Sequence, residues 1–475
     1  MASPISAAVA RLMANHQKVV ETGSREDIEA VQQAGRKLVS LAEDGKFRQA
    51  TVDQALPALA KLLSDGSMPV GRFLAAWVLG LLAHNDTLKA PIADTMVPGL
   101  LELALTTPFA IHRMQAVSVI CTLACDRGLQ DPSRPSAHNR ALSLAALPAL
   151  VEVMQGADDE PSRVQAARAI ANLSSDESRK PLAYDHLEPI ASTAMPALVT
   201  LMQDAASPDG RSEAVRALDG LARSDDLRQL VACAALPALV SLLHDGDPSV
   251  SEGRRLAATA LSRLAQKEDL RELISRRALQ GLTNLLQDAG NPQGRIAAAA
   301  ALANLACNPD VKEAIADAAM PGLVSLLNNT ALPEGQQKAA IALLNLATDS
   351  DHLKGPIAEA TLPALVSMLQ GAAQSDGRCE AALLLARLAT KPELRQPIAL
   401  AAMPALLSLT NMPPSERQLQ TKCAISILAR CAGIKTPASD AAEEAMISFI
   451  QGDYDQFTGQ IVDETLAELL EAASR

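Results

Sequence analysis

Residues 308–346 read NPDVKEAIADAAMPGLVSLLNNTALPEGQQKAAIALLNL. Three helical patterns of unequal length follow one another in this stretch. Asn308 is a residue type that caps a helix N-terminus, and Pro309 suits a first helical position, where its missing N–H leaves no bond unmade. Val311, Ala314, Ile315 and Ala318 then fall on one face. A break is expected at Met320. Pro321 would open a second helix whose apolar face is Leu323, Val324, Leu326 and Leu327. After the turn Pro333-Glu334-Gly335, a third helix is expected to bury Ala339, Ala340, Leu343 and Leu346. No copy could bury these faces by itself, so the core must come from stacking copies on one another.

Near-copies recur from about residue 50 to about residue 430. Their second helices are expected to open at Pro57, Pro98, Pro148, Pro196, Pro237, Gln280, Pro321, Pro363 and Pro404. The successive steps are 41, 50, 48, 41, 43, 41, 42 and 41 residues. The two longer steps mark insertions. One lies at 126–140, polar and broken by Pro and Gly, and is expected to be an exposed loop; the other lies at 174–184. Residues 1–50 carry two helical patterns, 5–20 and 25–42, which suit an N-terminal helical cap on an array spanning 51–435. Residues 436–475 suit a C-terminal helical cap, the last pattern burying Ile461, Leu466, Leu469 and Leu470 behind an acidic face.

The chain has 475 residues, beyond the size at which one compact core stops growing, so an elongated array is the natural solution. Aromatic residues make up only 2% while apolar residues reach 48%, mostly Ala and Leu, which form helices rather than strands. The class is all-α. A net charge of −12 lacks the basic stripe of a general nucleic-acid surface. Seven cysteines are scattered, and the one close pair, Cys121 and Cys125, has no matching ligands, so reduced thiols and no metal are expected. No segment reaches the roughly 18 apolar residues of a membrane span, the longest candidate being 73–83. The start MASPIS lacks a charged-then-apolar leader and has Ala2 where myristoylation needs glycine. A soluble cytoplasmic protein, also present in the nucleus, is the expectation. No Gly-rich phosphate loop or HExxH pair occurs, and the seven histidines stand singly, so no cofactor, no catalytic residue and no enzyme activity are expected.

The segments ALPALVSLL at 235–243, AMPGLVSLL at 319–327 and TLPALVSML at 361–369, with the helix endings ANLA at 303–306, LNLA at 344–347 and ARLA at 386–389, resemble armadillo repeats. The likeness covers roughly 380 residues. It implies a right-handed α-solenoid of about nine repeats, with third helices lining a concave groove that holds an extended peptide. HEAT repeats, the nearest rival, lack the short first helix. In the armadillo family an Asn on each third helix pairs with the peptide backbone, often with a Trp one turn earlier. Here the Asn register reads Leu81, Thr122, Asn172, Gly220, Arg263, Asn304, Asn345, Arg387 and Ile427. The Trp register reads Trp77, Ser118, Arg168, Arg216, Thr259, Ala300, Ile341, Leu383 and Cys423. The tryptophan ladder and the basic N-terminal segment of nuclear-import adaptors are therefore missing, which points to a general scaffold.

Asn172, Asn304 and Asn345 each offer a donor and an acceptor for a peptide backbone. Three Asn making two bonds each would net about 6 kcal/mol, short of micromolar affinity, so side chains must add to it. Arg168, Arg216, Arg263 and Arg387 share the two registers and would make the face locally basic, fit for an acidic or phosphorylated peptide. A second series, Arg72, Arg113, Arg163, Arg211, Arg254, Arg295, Gln336, Arg378 and Gln418, lies nine residues before the Asn register, on the opposite flank of the third helix. It reads as glue between repeats. Ala75, Ala116, Ala166, Ala214, Ala257, Ala298, Ala339 and Ala381 recur six before that register and read as core. The expected function is a non-enzymatic protein–protein interaction scaffold or adaptor. Alternatives are a substrate-recognition component associated with a ubiquitin ligase and a nuclear transport adaptor, the latter requiring basic ligands that these arginines would repel. The sequence names neither the partner nor the oligomeric state.

Overall fold

The computed structural model describes residues 4–22, 24–43, 51–65, 69–124, 135–174, 184–204, 207–370 and 375–409. Among the described residues every regular element is a helix or helical turn. The chain divides into two compact units, Met1–Ala238 and Leu239–Arg475.

The first unit begins with α1 (Pro4–Thr22) and α2 (Arg25–Glu43), which pack on each other and bury Ile5, Leu12, Val31 and Leu38. Ser24 starts α2: its Oγ accepts the Asp27 amide at 3.1 Å and donates to the Asp27 carboxylate at 2.7 Å. Hydrogen bonds from Thr22 and Ser24 hold that carboxyl below its ordinary pKa. A π-helical turn at Thr51–Ala55 leads into α3 (Leu56–Ser64), where Pro57 does sit at a helix start. α4 (Pro69–Leu82) follows and lies against α2. A Cβ at Gly35 would come within 3.1 Å of Trp77 Cζ3, so the single tryptophan packs against α2.

Long and short helices then alternate. In the first unit these are α5 (Asp86–Thr106), α6 (Ala110–Ala124), α7 (Pro135–Gly156), α8 (Glu160–Ser174), α9 (Tyr184–Asp204) and α10 (Pro208–Leu221). α11 (Asp225–His244) contains the boundary between units. The second unit has α12 (Ser251–Leu264), α13 (Glu268–Gln287), α14 (Pro292–Leu305), α15 (Lys312–Leu327), α16 (Pro333–Ala347), α17 (Asp351–Gln370), α18 (Ser375–Ala389) and α19 (Pro392–Leu409). Within each unit the short helices pack on one another in sequence, as α4, α6, α8, α10 and as α12, α14, α16, α18. The long helices do likewise, as α3, α5, α7, α9 and as α13, α15, α17, α19, so each unit is a two-layer stack. The short helices are the third helices expected from the sequence.

The expected break before the second helix does not occur. Pro98, Pro148, Pro196, Pro237, Pro321 and Pro363 all lie inside a long helix, not at its start. A proline inside a helix removes one backbone bond and bends the axis; these six are exposed, and the buried apolar residues on either side hold the span helical. Asn308 caps a short 3₁₀ turn, Pro309–Val311, by accepting the Asp310 amide at 3.0 Å, and α15 grows from it. Its buried face is Ile315, Ala316, Ala319, Leu323, Leu326 and Leu327, whereas Ala314 is exposed. Running the two segments together shifts the face, because the helical phase no longer restarts at Pro321. The insertion at 126–140 is also corrected in part: α7 already begins at Pro135, a residue suited to a first helical position. Residues 125–134 and 175–183 lie outside the described residues, as do residues 410–475, where the ninth third helix around Ile427 and the C-terminal cap are expected.

The alanines at 75, 116, 166, 214, 257, 298, 339 and 381 are all buried. A small side chain at this position lets neighbouring helices approach closely. Among the described residues one helix, α11, is long and apolar enough to cross a membrane by length and composition, but half of that window is buried inside the protein.

Candidate functional site

The third helices carry every predicted site residue, and each of those helices has a structural flank and a polar flank. On the first, the arginine series forms a repeated bond. The Nε of Arg72, Arg163 and Arg295 donates to the carbonyl nine residues earlier, on Leu63 at 2.9 Å, Met154 at 3.0 Å and Leu286 at 2.9 Å. Gln336 does the same with its amide, to Leu327 at 2.8 Å. These carbonyls end the preceding long helices, which have no intrahelical donors left to fill them. Other guanidinium nitrogens of the series reach forward into the next repeat: Arg72 to Glu102 at 3.3 Å, Arg254 to Asp288 at 2.8 Å, Arg295 to Ser325 at 3.2 Å, and Arg113 to Asp159. Arg72 and Arg295 thus each tie a repeat to itself and to its successor.

A second basic series escaped the sequence reading. At 228, 271, 312, 354 and 395 stand Arg, Arg, Lys, Lys and Arg, in steps of 43, 41, 42 and 41. Arg228, Arg271 and Arg395 donate through Nε to the last carbonyls of the preceding third helices, on Ala222 at 3.0 Å, Ala265 at 3.0 Å and Ala389 at 3.2 Å. Lys312 instead reaches the Thr348 carbonyl ahead of it, and Lys354 reaches Thr390 Oγ1 at 2.7 Å. A cation there both satisfies an open carbonyl and complements the negative end of the helix dipole. Lys354 also bonds Asp351 at 2.6 Å and holds that carboxyl below its ordinary pKa.

Each of the three asparagines spends its amide nitrogen on the previous third helix of its own unit. Asn172 Nδ2 donates to Cys121 O at 3.1 Å, Asn304 Nδ2 to Ser262 O at 2.8 Å, and Asn345 Nδ2 to Ala303 O at 2.9 Å. Sulfur contacts at 3.4 Å, Asn172 to Cys121 and Asn345 to Cys307, accompany two of them. Asn172 and Asn304 are half-buried, and Asn345 is only 4% exposed. What an amide so engaged still offers a peptide is its Oδ1. The fourth position of this register is Gly220, where a Cβ would lie 2.6 Å from Ser174 Oγ and 2.9 Å from Ser174 O. Here the link runs the other way, Ser174 Oγ bonding Ala217 O at 3.3 Å.

The arginines divide. Arg387 is 2% exposed and Arg263 is half-buried in the last turn of α12. Arg168 on α8 and Arg216 on α10 remain 39% and 45% exposed at their side chains and share one partner, Glu213, whose side chain is 5% exposed. Arg168 Nε meets Glu213 Oε1 at 2.9 Å and Arg216 Nη1 meets Oε2 at 3.1 Å. Nothing in the spacing of acids singled out Glu213, because acids are common on helix surfaces. Cys125 lies outside the described residues, and among the described residues no His, Cys, Asp and Glu group could hold a metal ion.

His112 has a separate character. It is 9% exposed and its ring stacks on Phe73 at 4.9 Å and tilts against Phe109 at 5.0 Å between centroids. Burial pushes its pKa below the ordinary imidazole value. The unfolded chain then takes up a proton more readily than the folded one. This group's stability is therefore intact above about pH 6.5 and is lost as pH falls from there through the folded pKa. Thermal melts between pH 7.5 and 5 should show a falling midpoint, and His112→Gln should flatten that fall.

No protein-family model matches the chain, and no curated protein matches it. Solved structures do. An engineered protein from the Northeast Structural Genomics Consortium is 26% identical with a TM-score of 0.66, the match covering 88% of this chain and 99% of that one. A designed armadillo repeat protein is 28% identical with a TM-score of 0.44, covering 53% of this chain and 99% of that one. With its forty-odd-residue period, its stacked third helices and its likeness to that engineered protein over most of its length, the chain has an armadillo-like helical-repeat fold.

Proposed function

We propose that this protein is a non-enzymatic interaction scaffold that takes extended acidic segments of other proteins along the exposed face of its third helices. Stacked repeats present long continuous surfaces, and proteins of this build generally bind other proteins. The observation that carries the acidic preference is the pair Arg168 and Arg216, on adjacent third helices and both well exposed on a chain of net charge −12. With the asparagine nitrogens engaged within the fold, one acceptor per Asn contributes about 1 kcal/mol each. Affinity then has to come chiefly from side-chain contacts, and charge-assisted bonds to guanidinium are the strongest of those on offer.

The test is binding of a fluorescent oligoglutamate peptide to the wild type and to the double variant Arg168→Glu/Arg216→Glu, with circular dichroism to confirm that the helices persist. The variant should bind at least about tenfold more weakly, as expected when two attractive charges are reversed. Equal affinity would remove the proposal.

A further inference from the structure

We infer that the Arg168–Glu213–Arg216 cluster is a subsite for one singly charged carboxylate of the bound segment, with Glu213 the positioning residue that sets it against a doubly charged phosphoryl group. The inference rests on the acidic-segment reading above and names the anion that this part of the face accepts.

Glu213 is built into the third-helix layer, while the guanidiniums above it stay accessible. Its Oε1 accepts from Arg168 Nε at 2.9 Å and from Arg216 Nη1 at 3.3 Å, and its Oε2 accepts from Arg216 Nη1 at 3.1 Å. The carboxylate therefore pins two long side chains from neighbouring helices before any ligand arrives, which removes part of the ordering cost of binding. It consumes Arg168 Nε and Arg216 Nη1. The nitrogens that do not face Glu213, Arg168 Nη1 and Nη2 with Arg216 Nε and Nη2, are the donors left for an anion, two to each guanidinium.

Charge decides which anion. Two guanidiniums and one carboxylate sum to +1. A ligand carboxylate brings −1 and neutralises the cluster. A phosphoryl group brings about −1.5 to −2 at pH 7 and leaves excess negative charge beside a buried carboxylate. The cost of taking an ion out of water grows with the square of its charge, whereas its attraction to a fixed +1 grows only linearly, so the matched anion is favoured in a half-desolvated site. Replacing Glu213 with the isosteric Gln removes the inner negative charge, raises the cluster to +2 and should turn the preference towards phosphate.

The experiment measures binding of the full chain to an array of nine-residue peptides with randomised flanks and a central Glu, phosphoserine or Gln. The wild type should favour Glu over both alternatives by about tenfold, the effect of roughly one unit charge across a partly exposed site. Glu213→Gln should shift the Glu-to-phosphoserine ratio by about tenfold towards phosphoserine, and Arg168→Gln/Arg216→Gln should erase discrimination among the three. Circular dichroism of each variant reports whether the repeats remain folded. Phosphoserine bound as well as or better than Glu by the wild type would overturn the charge-matching inference and leave the acidic-segment reading standing. An unchanged ratio in a folded Glu213→Gln variant would remove Glu213 from its role. No preference for either acidic peptide over Gln would overturn both readings together.

Discussion

Replacing Gly220 with asparagine, the residue that fills this register at 172, 304 and 345, should destabilise the protein by about 3 kcal/mol. At first sight the change restores a repeat to its pattern. The packing forbids it. A Cβ at Gly220 would sit 2.6 Å from Ser174 Oγ, 2.9 Å from Ser174 O and 3.1 Å from the Ser174 carbonyl carbon, and two of those three are backbone atoms of α8 that cannot rotate away. Forcing such contact costs typically 1–3 kcal/mol and sometimes more, while removing a helical glycine returns at most about 1 kcal/mol. Alanine, which gains the full propensity and adds only the Cβ, should lose about 2 kcal/mol, and asparagine, with less propensity to gain and an amide to place, should lose more. Chemical denaturation monitored by circular dichroism measures both. An asparagine variant as stable as the wild type would mean that α8 and α10 separate easily, and the tight stacking of third helices described here would not hold.

Gly220 also shows which features the sequence could disclose and which it could not. The repeat period, the buried alanines and the structural arginines were legible because each recurs at a fixed offset on one face of a helix, and packing demands the same residue type at every turn of the stack. The second basic series, at 228, 271, 312, 354 and 395, carried the same kind of signal and could have been found by extending the register through the long helices. The helix starts were misread because a proline is compatible both with a first turn and with a bent interior. Local preference alone does not separate these, and Pro98 or Pro321 is settled by apolar contacts on both sides of the bend. The asparagines share one register of the repeat, but their hydrogen-bond partners lie 42 residues away for Asn304 and Asn345 and 51 for Asn172. A donor inventory says what an amide can bond, not which carbonyl the neighbouring repeat brings within reach. Glu213 had no period at all. Its importance comes from two helices converging on it.

Arg295→Ala should lower stability by about 3 kcal/mol while leaving affinity for an acidic peptide within about twofold. The guanidinium is buried and makes two bonds, Nε to the Leu286 carbonyl at the end of α13 and Nη2 to Ser325 Oγ on α15 in the next repeat. Hydrogen bonds to a charged donor contribute about 1.5–3 kcal/mol, and truncation also strands a carbonyl that has no other helical donor. Ligand affinity should hardly move, because this series occupies the flank of the third helix away from Arg168 and Arg216. The protein itself supplies the control. At the equivalent position Gln336 donates its neutral amide to the Leu327 carbonyl at 2.8 Å, nine residues back, just as Arg295 does to Leu286. Arg295→Gln should therefore keep the bond within the repeat, lose the one to Ser325, and recover about half of what alanine forfeits. Urea unfolding of the three proteins, beside peptide titration of each, separates the contributions. If the alanine variant were as stable as the wild type but bound peptide poorly, the two arginine rows would have to exchange roles, since a row that holds repeats together cannot be removed without cost and a row that binds cannot be removed without loss of ligand.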